Sequence, residues 1–268
     1  ITEVDTNLFV NFDEVRVGNT WEDVLPVTPI TNLLSTYTWN NPSGGNWTDP
    51  ANWIPSTGYP MSNQDMAVLP DFDNAGISIF IDRPLTVAVV QTSHTTNQSY
   101  TVNSLGLIQP LYFDNAFGHA KIETTTDALN EQSLSFAALD LHFLKDTDLV
   151  CGNNKADQSH QSVIFNGSFL FGNCILKKTG EGGVRITGGC DGSAFTGTNV
   201  IEEGRLNLNA NNIFPNGTIF VDASSGSPKI DSWGNPGGSM GTVILSGSAQ
   251  IMATGNQFCE WGNLVIDD

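Results

Sequence analysis

An all-β fold is predicted for this chain from three observations. The stretch 174–208 sets short apolar runs (Cys174-Ile175-Leu176, Val184 to Thr187, Val200-Ile201, Arg205 to Leu208) between glycine-rich breaks at 179–183, 188–189 and 192–197. Runs of that length bounded by glycine cannot hold a 3.6-residue period and match strands joined by turns. Second, no window of the 268 residues keeps apolar positions at i, i+3, i+4 and i+7, so almost no helix is expected. Third, charged residues are 14% of the chain, against about 25% in an average soluble domain. Glycine, asparagine, serine and threonine take their place, and these are residues of turns.

In chain order, residues 1–30 form an N-terminal extended strand and linker. Leu8, Val10, Phe12, Val15 and Val17 give an alternating strand, punctuated by Gly18-Asn19-Thr20 before Trp21. An unpaired apolar strand needs a partner, so it is expected to lie along this chain or to add to a neighbouring molecule. From 31 to 268 one unit follows, with 28–36 read as linker and a tryptophan-rich start at 37–53. Trp39, Trp47 and Trp53 there support two readings. Their indoles can cover an open apolar end with N–H groups bonded to turn carbonyls, or they can form an exposed, coplanar platform for glycan stacking.

Strand follows turn from 61 to 149, through 65–69, 77–81, 85–90, 100–102, 111–113, 120–122 and 139–143. Residues 123–135 are expected to project as a loop. Val163-Ile164-Phe165, Phe169-Leu170-Phe171 and Ile175-Leu176 lead into the central stretch. Beyond it come a strand at 218–222, a long glycine, serine and proline excursion over 223–241, and strands at 242–245, 250–253 and 263–266. The end carries Leu264 and Ile266 on a last strand with no obvious polar cap, an arrangement that invites end-to-end stacking.

The order of motifs carries a resemblance. A Leu-x-Lys-Thr-Gly run at 176–180, then Phe195-Thr196-Gly197 with Ile201 and Gly204-Arg205-Leu206-Asn207-Leu208, then Asn212 to Ile219, resembles the autotransporter-associated β-strand repeat of bacterial surface proteins. The likeness is close over about 174–223 and one of style elsewhere. The segment Trp39-Asn40 through Gly44-Gly45-Asn46-Trp47 to Asp49-Pro50-Ala51-Asn52-Trp53 is similar to the opening of autotransporter-like solenoid regions. Residues 12–26, FDEVRVGNTWEDVLP, resemble the closing strand of concanavalin-like sandwich domains. Together these imply a right-handed parallel β-solenoid after an extended strand left from an upstream module. They also imply an extracellular or cell-surface setting.

Formal charge is −18, and Arg16 is the only base before Arg83. Phosphate backbones repel such a chain, so nucleic acid is not expected as a partner. No run nears the roughly 18 apolar residues of a membrane span. The chain starts at Ile1 without a leader pattern and reads as processed. Cys151, Cys174, Cys190 and Cys259 have no C-x-x-C spacing, which argues against zinc. Cys174 and Cys190, sixteen residues apart, are near one expected round and form the candidate disulfide; buried free thiols are the alternative.

No catalytic residue, cofactor site or secure metal site is read from the sequence. Asp71 and Asp73 have spacing that offers oxygens to Ca²⁺, but lack the glycine and distal glutamate of an EF-hand loop. Asp114, Glu202, Glu203, Asp267 and Asp268 are the other carboxylates weighed for polysaccharide chemistry, and Glu202-Glu203 reads as a solvated turn. His94, His119, His142 and His160 are scattered, with His142 alternating between Leu141 and Phe143 as a near-core residue. The expectation is a non-enzymatic structural protein, a stalk or fibre subunit on or released from a bacterial surface. Its partners are copies of itself or upstream domains of a larger chain. A carbohydrate-binding adhesin module, or a polysaccharide-acting β-helix enzyme, is the alternative.

Overall fold

The computed structural model describes residues 33–73, 76–94, 98–126, 133–152, 161–210, 212–224, 226–233, 240–254 and 261–267. The chain divides into two compact units, Ile1–Leu33 and Leu34–Asp268. The expected strand with Leu8, Val10, Phe12, Val15 and Val17 lies outside the described residues. Among the described residues of the second unit the regular structure is strand, apart from one 3-10 turn at Pro50–Asn52.

The unit opens with β1 (Ser35–Trp39), β2 (Gly45–Asn46) and β3 (Trp53–Ile54). Five rounds of three strands follow. They are β4 (Asp65–Pro70), β5 (Ile77–Ile81) and β6 (Leu85–Val87), then β7 (Val89–His94), β8 (Ser99–Ser104) and β9 (Gln109–Phe113). Next come β10 (Ala120–Thr126), β11 (Ser133–Ala137) and β12 (Leu139–Phe143), then β13 (Thr147–Cys151), β14 (Gln161–Asn166) and β15 (Phe169–Gly172). The fifth round is β16 (Ile175–Thr179), β17 (Gly183–Thr187) and β18 (Asp191–Phe195). The chain finishes with β19 (Thr198–Ile201), β20 (Arg205–Asn209), β21 (Thr218–Asp222), β22 (Lys229–Trp233), β23 (Met240–Ser246), β24 (Gln250–Thr254) and β25 (Trp261–Asp267).

The three members of a round enter three different sheets. Sheet A has eleven strands in the order β25-β23-β21-β19-β16-β13-β10-β7-β4-β1-β3. Sheet B has nine, β2-β5-β8-β11-β14-β17-β20-β22-β24, and sheet C has five, β18-β15-β12-β9-β6. Neighbours pair parallel throughout, for example β10 with β7 and β17 with β20, except that β3 runs antiparallel to β1. After β18 no strand of the described residues enters sheet C, and the chain alternates between A and B. The molecule is therefore all-β with long parallel sheets, an arrangement compatible with a β-helix.

Alternation explains which side chains go in. β4 and β12 alternate buried and half-buried residues from end to end, as strands with one covered face must. The inward residues of the three sheets form one apolar core. Aromatic rings link rounds inside it: Phe113 stacks on Phe143 of the next round at 5.3 Å, and Phe143 meets Phe195 edge-on at 6.4 Å across the intervening Gly172. Strand stands where loop or turn was expected at both ends of 123–135, which β10 enters as far as Thr126 and β11 from Ser133, and in two further places. Asp191–Phe195 forms β18 inside the glycine-rich break at 192–197, and Lys229–Trp233 forms β22 inside the 223–241 excursion. Each is held by its parallel neighbour, β15 or β20, and not by its own weak strand propensity.

Lys178 and Asn199 are among the polar residues that sit in core columns. Lys178 lies in register between Leu149 and Ile201 and is 1% exposed. Its ammonium donates to the carbonyls of Thr179 and Gly180, and burial pulls its pKa below the usual lysine range. Asn199 stands between Leu176 and Ile219, and its Nδ2 has no hydrogen-bond partner among the described residues. A buried amide donor without a partner costs about 1–3 kcal/mol. Asn199→Val, which fills the column with a strand-favouring apolar residue, is therefore expected to raise stability by about 1 kcal/mol. Urea unfolding checks this, and a loss of stability would refute it.

Candidate functional site

The tryptophan segment folds into the opening group of strands. Trp39 on β1 is paired in register with Trp53 on β3. Asp49 accepts from the Ala51 N–H and starts the Pro50–Asn52 turn that swings Trp53 back. Asn52 then donates to the Asn46 carbonyl and accepts from Asn41 Nδ2. The close approach of the Gly45 backbone to Asn52 leaves no room for a side chain at Gly45. Each residue type in the motif thus has a local task.

The three indoles are fully buried. Trp53 meets Trp39 at 5.0 Å and 85°, and Trp47 at 5.0 Å and 66°. The glycan platform expected of Trp39, Trp47 and Trp53 is corrected by this geometry, because the rings are neither exposed nor coplanar. Their N–H groups point to loop carbonyls: Trp39 to Asn41, Trp47 to Pro60 and Trp53 to Trp47, at 2.6–2.7 Å. The two-residue β3 covers the β1 edge of sheet A, and a short strand of this kind blunts an edge.

The opposite end of sheet A differs. Among the described residues β25 pairs with β23 alone. Leu264 continues the column of Ile219 and Val243, and Ile266 continues that of Val221 and Leu245. Val243 and Val221 are fully buried, whereas Leu264 is 48% and Ile266 69% exposed. These two side chains are core residues by register with no further round beneath them among the described residues. On the outer face, Val200, Phe220, Ile244 and Val265 fall in one apolar column reaching the same edge.

The other sequence candidates are dispersed. Asp71 Oδ1 accepts from the Asp73 N–H at 2.9 Å, and Asp73 has φ +58°, so the pair builds a turn. Among the described residues no group of three or more His, Cys, Asp or Glu is placed to hold a metal ion. Glu202 pairs with Lys177 at 2.7 Å, and Asp114 accepts from Asn63. The expected Cys174–Cys190 disulfide is not formed: both are free thiols, as is Cys151. The premise of one round per sixteen residues fails, because Gly183 pairs with Arg205, 22 residues on, and Val89 with Lys121, 32 residues on. Cys174 precedes a sheet A strand and Cys190 a sheet C strand.

A shallow cleft of about 420 Å³ holds His119, Asp146 and Cys174. His119 contacts Asp148 at 3.3 Å. The Cys174 thiol donates to the Phe143 carbonyl, and burial, aided by Asp146, pushes its pKa up to about 12. A thiol so held stays protonated and is a poor nucleophile. Burial also raises the Cys151 and Cys190 thiols.

One constellation was not foreseen. His142 points out from β12 while Leu141 and Phe143 point in. Tyr112, His142 and Phe171 come into register across β9, β12 and β15 and stack on the outer face of sheet C. Their spacing of 30 and 29 residues is a signal only once the length of a round is known. Compared with models of known protein families, with curated proteins and with solved structures, the chain matches none, so these surfaces rest on geometry alone.

Proposed function

We propose that this chain is a non-enzymatic structural protein of the extracellular or bacterial cell-surface kind, a right-handed parallel β-solenoid that joins copies of itself end to end. Parallel connections within a sheet are right-handed in nearly all proteins, which supports the handedness. The likeness of 174–223 to autotransporter-associated repeats supports the setting. The observation that carries the reading is one apolar core continued from strand to strand of long parallel sheets, with Leu264 and Ile266 exposed along the β25 edge. An apolar column open at a parallel edge is satisfied by another strand with the same alternation. The run Leu8, Val10, Phe12 in a second copy has that alternation. Head-to-tail contact of this sort is heterologous and open, so it grows into filaments.

Electron microscopy and light scattering over a concentration series test this directly. Filaments or higher oligomers are expected for the full chain, with loss of assembly in Leu264→Glu/Ile266→Glu and on deletion of residues 1–27. A chain that stays monomeric at high concentration refutes the proposal.

A further inference from the structure

The outer face of sheet C presents two side-chain columns. One runs Thr86, Tyr112, His142, Phe171, Ala194 and the other Pro110, Asp140, Phe169, Asp191. Ring centroids are 4.7 Å apart between Tyr112 and His142 and 4.4 Å between His142 and Phe171. The rings therefore follow the strand spacing of about 4.8 Å, and each inner face is covered by its neighbour. The stack stops at Phe171. Its next register partner is Ala194, an exposed residue whose methyl group cannot cover a phenyl ring. Sheet C also ends at β18. Phe169 stands 40% exposed in the adjacent column, with Asp191 beside it in register.

The geometry points to a binding site for an amino-sugar polysaccharide on the outer face of sheet C, one sugar ring seated on Phe171 above Ala194. A pyranose offers an apolar C–H face that packs on an aromatic face, while its substituents reach polar groups at the rim. Charge selects the sugar. The two columns hold Asp140 and Asp191 with no lysine or arginine, in a chain of formal charge −18. Uronic acids and phosphorylated glycans are repelled, whereas an ammonium gains from a carboxylate and from the ring quadrupoles. Asp191 is placed for this: its Oδ1 accepts from the Ser193 N–H at 2.8 Å, which orients the carboxylate at the rung of Ala194. Burial lowers the His142 pKa against the opposing pull of Asp140, which favours the neutral ring.

Isothermal titration calorimetry with a β-1,4-linked glucosamine tetramer and its N-acetylated counterpart tests the site. Ala194→Phe occupies the seat with a ring that continues the stack. Asp191→Asn keeps the Oδ1 acceptor for the turn and removes the charge. The glucosamine tetramer is expected to bind the native chain and to bind each variant about tenfold more weakly, a difference of about 1.4 kcal/mol. Unchanged circular dichroism would show that both variants fold, and Asp191→Asn serves alone if Ala194→Phe does not. Failure of the native chain to bind overturns the proposal. So does undiminished binding by Ala194→Phe, which would mark a diffuse attraction of cations to an acidic surface. Equal affinity for the N-acetylated tetramer overturns the choice of amino sugar.

Discussion

Replacing Gly204 with valine is expected to lower the unfolding free energy by about 3–5 kcal/mol. Gly204 is buried with φ +71°, a conformation that costs a residue with a side chain about 1–2 kcal/mol. Steric collision contributes more. A Cβ at this position would stand 2.5 Å from the Gly182 carbonyl oxygen, 2.6 Å from that of Gly180 and 2.7 Å from that of Glu181. All three belong to backbone at the turn between β16 and β17, so no rotamer change relieves them. The Gly180 carbonyl is also one of the two that hold the buried Lys178 ammonium. Moving it would strip a buried charge of a partner, and losses of that kind are large. Gly189→Val separates backbone strain from collision, because Gly189 has φ +79° but nothing within 4 Å of where its Cβ would stand. Its cost should stay near 1–2 kcal/mol, to the order of magnitude of about one strained residue. Equal losses for the two variants in urea titrations would rule the collision out as a cause.

Trp53→Ala is the second severe change, with an expected loss of about 3–5 kcal/mol. Trp53 is the indole that touches both of the others, and its N–H satisfies the Trp47 carbonyl. Truncation leaves a cavity between Trp39 and Trp47 and an unpaired buried acceptor. Trp53→Phe keeps most of the ring contact and loses the N–H, so about 1–2 kcal/mol is expected for it. Guanidinium unfolding followed by Trp fluorescence measures both. A Trp53→Ala loss no larger than that of Trp53→Phe would show that the cluster does not act as a packed unit.

The strand class was legible because glycine-bounded apolar runs leave few other options, and the glycines at 180–183 and 204 do mark the tight turns. Strands β18 and β22 were not legible. Asp191-Gly192-Ser193-Ala194-Phe195 and Lys229-Ile230-Asp231-Ser232-Trp233 have the composition of loops, and only a strand already in place beside them makes them extend. The tryptophan motif announced a cluster but not its burial, since an indole with a hydrogen-bonded N–H is equally at home inside or at a rim. The sheet C stack escaped notice because its members are about 30 residues apart and belong together only through register. The Cys174–Cys190 pairing failed for the same reason: it depended on a length of round that single-chain spacing does not reveal.

The ending of sheet C at β18 has a consequence for how this chain yields. Among the described residues, the rounds from β4 to β18 are bonded to one another through three ladders; the opening group joins the first round through two, and so does each step from β19 onward. Where energy is shared only between nearest neighbours, cooperativity weakens wherever the coupling per step falls. The block β4–β18 is thus the deep-toothed part of a zipper, with shallower teeth at β1–β3 and from β19 onward. Heat, denaturant or a pulling force is expected to open the two-ladder sections before the three-ladder block. A single transition temperature then describes the thicker block and understates how early the others let go.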